Sequence, residues 1–259
     1  VAGAVCGGPR ASEEVYSFER GMADDEIKAM WDANGMLARN AGTEGHYLME
    51  RWLNSMSTRA ESEELQLGLR FLLNYAAPRG VRAYATEKEI FGAEEDIAGS
   101  IDCLVRTPEG RLWIVDWKRS KQLHTHTTGF GGKKLKAPLD HIDDCKISKY
   151  AFQLSTYRYL LETHYGEHVD ELLLVSIFPG EPFVTAVPYM REEVAHIMAC
   201  RREEVRARRV VEAAHPELCC SQCGRLATDA GRDAEGRLWH AKKAAAEEAT
   251  QNARPATLV

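Results

Sequence analysis

The chain has 259 residues, 44% of them hydrophobic, and a formal net charge of −6 at pH 7, enough apolar mass for one sizeable core plus an appendage. No apolar run approaches the roughly 20 residues that span a bilayer, and no signal peptide is visible, which argues against a membrane partner and predicts an intracellular protein. Seven cysteines, an odd number without framework spacing, exclude a disulfide scaffold and predict a reducing compartment.

Residues 1–11 are Gly-rich and expected to be disordered, and the chain opens on Val1 rather than Met, as a domain or processed piece of a larger polypeptide would. Helices are expected within 12–76. There Leu48, Met49, Trp52 and Leu53 recur at helical spacing, so His46 and Glu50, four apart, share one helix face. Residues 82–118 read as three strands. Alternation through Tyr84–Phe91 puts Glu87 and Glu89 on the same side. Ile101, Cys103, Leu104 and Val105 are strand-like around Asp102, Pro108-Glu109-Gly110 is a turn signal, and Leu112–Val115 is a short apolar run. A helix over 147–165 carries Gln153 and Tyr157 four apart. Leu172–Phe178 reads as a buried strand, Pro182–Val187 as a further strand and Arg191–Ala214 as an amphipathic helix. The fold class is α/β: a mixed central sheet flanked by helices, with the His46 helix over one end of the hairpin.

That hairpin carries the chemistry. Gly99-Ser100-Ile101-Asp102 lies on its first strand and Asp116-Trp117-Lys118 on its second. Side chains alternate along a strand, so Asp116 and Lys118 point one way and Trp117 the other. A DxK by itself is commonly a surface ion pair. Here two acids and an ammonium share one small surface, which makes a hard-cation site for Mg²⁺ or Mn²⁺, with the lysine free to meet a phosphate or a nucleophilic water.

Five ordered motifs over roughly residues 26–190 resemble the PD-(D/E)xK nuclease superfamily and, within it, the RecB-like exonucleases, a group that includes the mitochondrial genome maintenance exonuclease. Gly42-Thr43-Glu44-Gly45-His46 resembles the GxxxH helix motif, with Trp31 upstream and Trp52-Leu53-Asn54 downstream. Thr86-Glu87 resembles the acid on the strand before the metal site, Gly99–Asp102 the GxxD motif, Asp116–Lys118 the DxK motif and Gln153–Tyr157 the QxxxY motif.

The resemblance implies a restriction-endonuclease-like core and a metal-dependent DNA nuclease, most simply an exonuclease of replication, recombination or repair; a place in a larger viral or mobile-element polypeptide is a separate expectation, beside the Val1 start. Asp102, Asp116 and the Trp117 carbonyl would hold one or two Mg²⁺ or Mn²⁺ ions, and His46 and Glu87 would complete the shell, with Glu89 a competitor for the last place. Lys118 would orient or deprotonate the attacking water. Gln153 would hydrogen-bond near Lys118 or the scissile phosphate, and Tyr157 would support a neighbouring phosphate, since amide and phenol donors bind phosphate without adding charge. A structure- or sequence-selective endonuclease on the same fold and a non-catalytic DNA-binding module are the alternatives.

An acidic nuclease must grip single- or double-stranded DNA through local basic patches. Arg119 and Lys121 follow the site, and Lys133, Lys134 and Lys136 occupy a Gly-rich loop, 124–138, that either closes over DNA or merely connects. Arg201, Arg202, Arg206, Arg208 and Arg209 stud the late helix. The nuclease domain is expected over 12–214, a zinc-knuckle-like appendage over 215–240 and a loose tail over 241–259. Tetrahedral zinc needs four N or S ligands: Cys220, Cys223 and His240 supply three, with Cys219 or His215 as the fourth. Cys6 with Cys219, Cys220 and Cys223 superficially echoes an iron–sulfur arrangement of some RecB-like nucleases, but no Cys follows Cys223 and the cluster is not expected.

Overall fold

The structure is a computed structural model that describes residues 23–55, 62–120, 123, 127–180, 184–221 and 223–227, with backbone alone for 230–232 and 238–240. The expectations for 1–11 and 241–259 therefore lie outside the described residues, as do Cys6 and Lys121.

Helix α1 (Asp24–Leu53) opens with Asp24, Asp25 and Glu26 at the positive end of its dipole, and the Glu26 carboxylate accepts the Ala23 N–H at 3.0 Å. Helix α2 (Glu63–Phe71) is capped by Ser62, whose hydroxyl accepts from the Leu65 N–H. A π-turn (Leu72–Ala76) and a 3₁₀ turn (Ala77–Arg79) follow and stop at Gly80, where φ is +71°. No helix among the described residues is long and apolar enough to cross a membrane.

Strands β1 (Arg82–Gly92), β2 (Ile97–Arg106), β3 (Leu112–Lys118), β4 (Val169–Ser176) and β5 (Val184–Ala186) form one sheet in that order. β2 and β3 are antiparallel, β3 and β4 parallel, β4 and β5 antiparallel. The parallel step is bridged by α3 (Lys146–His164), as a parallel pair requires a long crossover. The β4 strand begins three residues earlier than the apolar run suggested, because Val169 already pairs with Leu112. This is a mixed sheet flanked by helices, consistent with the expected restriction-endonuclease-like α/β fold.

Burial explains the β2–β3 pattern. Cys103, Val115 and Trp117 lie in one core with Met49 of α1, Leu65 and Phe71 of α2, and Val175 and Ile177. Phe71 meets Trp117 edge to face at 5.8 Å between ring centres. The alternate face of the same strands therefore carries Asp102, Asp116 and Lys118. Two glycines let the helices approach: a Cβ on Gly45 would stand 2.7 Å from Ile177 Cδ1, and one on Gly68 would overlap the Met49 thioether. Met49 is fully buried, so Gly68→Ala is expected to destabilise the protein by about 1–3 kcal/mol through overpacking. A chemical-denaturation midpoint unchanged in that variant would contradict the tight α1–α2 contact.

The chain divides into two compact units, one of residues 1–90 and 100–190, the other of 91–99 and 191–259. The second unit contains the β1–β2 tip, helix α4 (Arg191–Ala214) and a two-stranded pair, β6 (Ala230–Arg232) with β7 (Leu238–His240). Its arginines take partners within the same unit. Arg201 donates to the Glu95 carbonyl, Arg202 pairs with the fully buried Glu95 at 2.8 Å, Arg208 bonds Asp96 at 2.6 Å and Arg209 donates to the Ala93 carbonyl. Asp96, at φ +52°, also takes Arg225 in a two-pronged contact of 2.5 Å each. These guanidinium groups hold the tip; for Arg206 no such contact is seen among the described residues.

Candidate active site

The register pairs Cys103 with Val115, so Asp102 and Asp116 occupy the adjoining position on β2 and β3. Asp102 Oδ2 accepts the Trp117 backbone N–H at 2.9 Å, which fixes the carboxylate across the strand pair. From α1, His46 reaches the same point: Nε2 lies 2.8 Å from the Trp117 carbonyl and Nδ1 3.4 Å from Asp102 Oδ2. A carbonyl only accepts, so Nε2 carries the proton and, in the neutral ring, Nδ1 faces Asp102 with its lone pair.

Glu87 arrives by a bend in β1. Its φ is +44°, a left-handed backbone uncommon outside glycine, and this interrupts the alternation that would keep Glu87 and Glu89 equivalent. Ser100 donates to Glu87 Oε2 at 3.0 Å. Asn54, just past α1, donates to Thr86 Oγ1 at 2.9 Å and to the Glu50 carbonyl at 3.0 Å, tying the helix end to the bend. Ligand atoms of His46, Glu87 and Asp102 all lie within 4.8 Å of one another, the one such group of three or more among the described residues. Glu89 is not a member. His46 and Glu87 line a cleft of about 550 Å³ together with Arg39, Thr43, Tyr47 and Glu50.

Asp116 and Lys118 share the expected face. Asp116 is 2% exposed, and Lys118 Nζ stands 2.6 Å from its Oδ2, a charge-assisted contact that also draws the two groups' protonation toward the ion pair. Burial first, and then the Asp116 charge, push the Asp102 carboxyl up to about 6. Asp116 is likewise pushed up by burial, against the pull of Lys118. Burial would lower the Lys118 ammonium, but Asp116 more than compensates and its net direction is upward. The site thus holds more buried negative charge than its lysine and histidine satisfy, and a hard cation among Asp102, Glu87 and His46, with Asp116 adjacent, fits that deficit.

Several residues take partners other than those expected. The Trp117 carbonyl, expected as a metal ligand, accepts from His46 and keeps one lone pair. Gln153 donates to Tyr157 at 2.9 Å within its own helix rather than toward Lys118. Lys118 instead faces the ring of Tyr150, one turn earlier, with Nζ 4.7 Å from its centre; the sequence reading missed Tyr150, although a tyrosine at the start of the QxxxY helix was the available signal. Arg119, expected on DNA, is paired with Glu64 of α2 at 3.0 Å and covers the Phe178 ring at 5.0 Å.

The Gly-rich loop is folded over its described part. A 3₁₀ turn (Phe130–Gly132) leads into Lys134, which bridges antiparallel to Asp143. Lys133 pairs with Asp144 at 3.1 Å and Lys134 with Asp143 at 3.2 Å. Both lysines are substantially exposed, so such pairs are weak and leave them able to meet phosphate.

In the second unit the expected zinc ligands are not gathered among the described residues. Cys220 is 4% exposed while Cys223 is exposed, so the two thiols differ in surroundings. Cys219 donates to the carbonyls of Glu212 and His215, and desolvation followed by the Glu212 charge pushes its thiol up, away from the thiolate that zinc requires. The His240 side chain lies outside the described residues.

Comparison with known proteins adds the family. No curated protein matches. Among solved structures, a protein from Eubacterium rectale provisionally described as an exonuclease is 11% identical with a TM-score of 0.38, covering 64% of this chain and 68% of its own. The protein SSO0001 is 16% identical with a TM-score of 0.26, covering 55% of this chain and 57% of its own. A family model matches residues 13–227, and on that span the chain belongs to the PD-(D/E)XK nuclease superfamily.

Proposed function

We propose that this chain is a Mg²⁺- or Mn²⁺-dependent deoxyribonuclease of the RecB-like exonuclease group, removing nucleotides from a DNA end in replication, recombination or repair. A nuclease domain implies a nucleic-acid substrate, and nucleases of this superfamily use divalent metal ions. The observation that carries the reading is the crowding of acids at one point: ligand atoms of His46, Glu87 and Asp102 lie within 4.8 Å of one another, beside a buried Asp116 whose charge helps to raise the Asp102 carboxyl to about 6.

Asp102, Asp116, Glu87 and His46 would hold the ion, with the second lone pair of the Trp117 carbonyl as a further donor. Such an ion, when bound, lowers the pKa of water and draws charge from phosphate oxygens. The protein's own groups do the rest. His46, locked by its Nε2–H bond to Trp117, presents one fixed nitrogen. Lys118 remains an ammonium, since its proton is held more tightly than usual, so it orients water and offsets negative charge as the new P–O bond forms and the bond to the leaving sugar oxygen breaks. It is a poor proton acceptor in this setting. The Tyr150 ring keeps that ammonium at the acid pair. Lys133, Lys134 and Lys136 would meet phosphates farther along the strand.

The test is end-labelled single- and double-stranded DNA, with free or blocked 5′ and 3′ ends, incubated with Mg²⁺ or Mn²⁺. Products accumulating from one free end are expected. Internal cuts in covalently closed circles would replace the exonuclease by an endonuclease, and a gel shift without products would leave only a binding module.

A further inference from the structure

Phe130 is the most exposed large apolar side chain among the described residues, at 95%. Single exposed apolar rings are ordinary; this one is displayed by a turn with little freedom. Gly132 donates to the Gly129 carbonyl at 2.9 Å, Lys133 to the Phe130 carbonyl at 3.2 Å, and Gly129 to Asp143 Oδ1 at 3.3 Å. A Cβ on Gly129 would overlap the Lys133 carbonyl oxygen, and Gly131 and Gly132 sit at φ +63° and +76°. The turn borders a cleft of about 500 Å³ whose lining includes Phe130, Lys146, Lys149 and Asp144, the Lys149 ammonium being 59% exposed and paired with Asp144 at 2.6 Å, a volume within the range of small-ligand sites. Across residues 133–149 five lysines face three aspartates, so the surroundings remain net positive. Lys149 is followed in α3 by Tyr150, the ring beneath Lys118. Neighbouring positions of α3 thus border the cleft and meet Lys118.

We propose that Phe130 is a stacking platform for an unpaired base of the strand being cut, with Lys146 and Lys149 meeting its phosphates. The inference rests on the nuclease reading and narrows the substrate to single strands or frayed ends, because a base inside a duplex has no free face to offer a ring. Aromatic stacking is tolerant of base identity, so no sequence preference follows.

The experiment measures dissociation constants for a single-stranded oligonucleotide containing 2-aminopurine and for a blunt duplex, with Ca²⁺ replacing Mg²⁺ to separate binding from cleavage; wild-type cleavage is assayed separately with Mn²⁺. Phe130→Ala should weaken single-strand binding by about tenfold and abolish the stacking quench of 2-aminopurine, and leave blunt-duplex binding unaltered. Phe130→Trp should bind at least as tightly as wild type, whereas Phe130→Leu, apolar without a π-face, should behave as the alanine variant. If wild type cleaves DNA but Phe130→Ala binds single strands normally, or loses single-strand and duplex binding equally, the stacking platform is wrong and the nuclease reading stands. Wild type that neither binds nor cleaves would overturn both.

Discussion

Replacing Asp102 by asparagine is expected to abolish cleavage and, in the metal-free protein at pH 7, to raise the melting temperature. The sign follows from the direction of the shift. The folded-state pKa, about 6, lies above the ordinary 3.8. Below pH 3.8 the carboxyl is neutral in both states and contributes nothing. Between 3.8 and about 6 the unfolded chain ionises while the folded one keeps its proton, so stability falls as pH rises; above about 6 the whole penalty is present, on the order of 3 kcal/mol. Asparagine carries no such penalty, and its amide oxygen can still accept the Trp117 N–H. The variant's advantage should be several degrees near pH 7, at roughly 2–4 °C per kcal/mol for a chain of this size, and should vanish below about pH 4. Mg²⁺ or Mn²⁺ should reverse the order, raising the wild-type melting temperature by mass action and leaving the variant where it was. Cleavage near the wild-type rate, or a variant less stable than wild type in EDTA at pH 7, would remove Asp102 from the proposed metal shell.

What could be read from the sequence here is what depends on a short period. The strand alternation of Asp116-Trp117-Lys118 placed the tryptophan in the core and the charged pair opposite it, and the helical spacing around His46 placed the imidazole on the face turned to the hairpin. Contacts between distant segments carry no such period. Nothing local says that Arg119 turns back to Glu64, that Asn54 reaches Thr86, or that arginines of α4 converge on Glu95 and Asp96, more than 100 positions earlier in the chain. An arginine satisfied internally and one facing solvent look alike in sequence, so a charge run does not by itself say which partner its guanidinium groups take. Glu87 shows the converse failure. Alternation cannot distinguish it from Glu89, and only the left-handed backbone at that one residue turns it toward His46 and Asp102. Tyr150 was overlooked because it lies outside the QxxxY spacing, although the same helical turn delivers it to Lys118.

Lys118→Ala is expected to reduce the cleavage rate at least roughly a hundredfold while keeping DNA affinity within about tenfold, because the ammonium acts chiefly as charge develops in the reaction. The structure adds a consequence for the metal. Lys118 Nζ lies 2.6 Å from the buried Asp116 Oδ2 and is the ammonium paired with it among the described residues. A divalent ion and the ammonium therefore compete for the same acid pair, and removing the ammonium leaves that pair more negative. Mn²⁺ binding to the variant, followed by calorimetry, should be as tight as in wild type or tighter even though catalysis is lost. That combination separates three roles. Equal losses of DNA affinity and rate would make Lys118 a phosphate anchor; weaker Mn²⁺ binding would make it a support for the metal site; slow chemistry with intact DNA and metal binding is the signature of a group that stabilises the transition state.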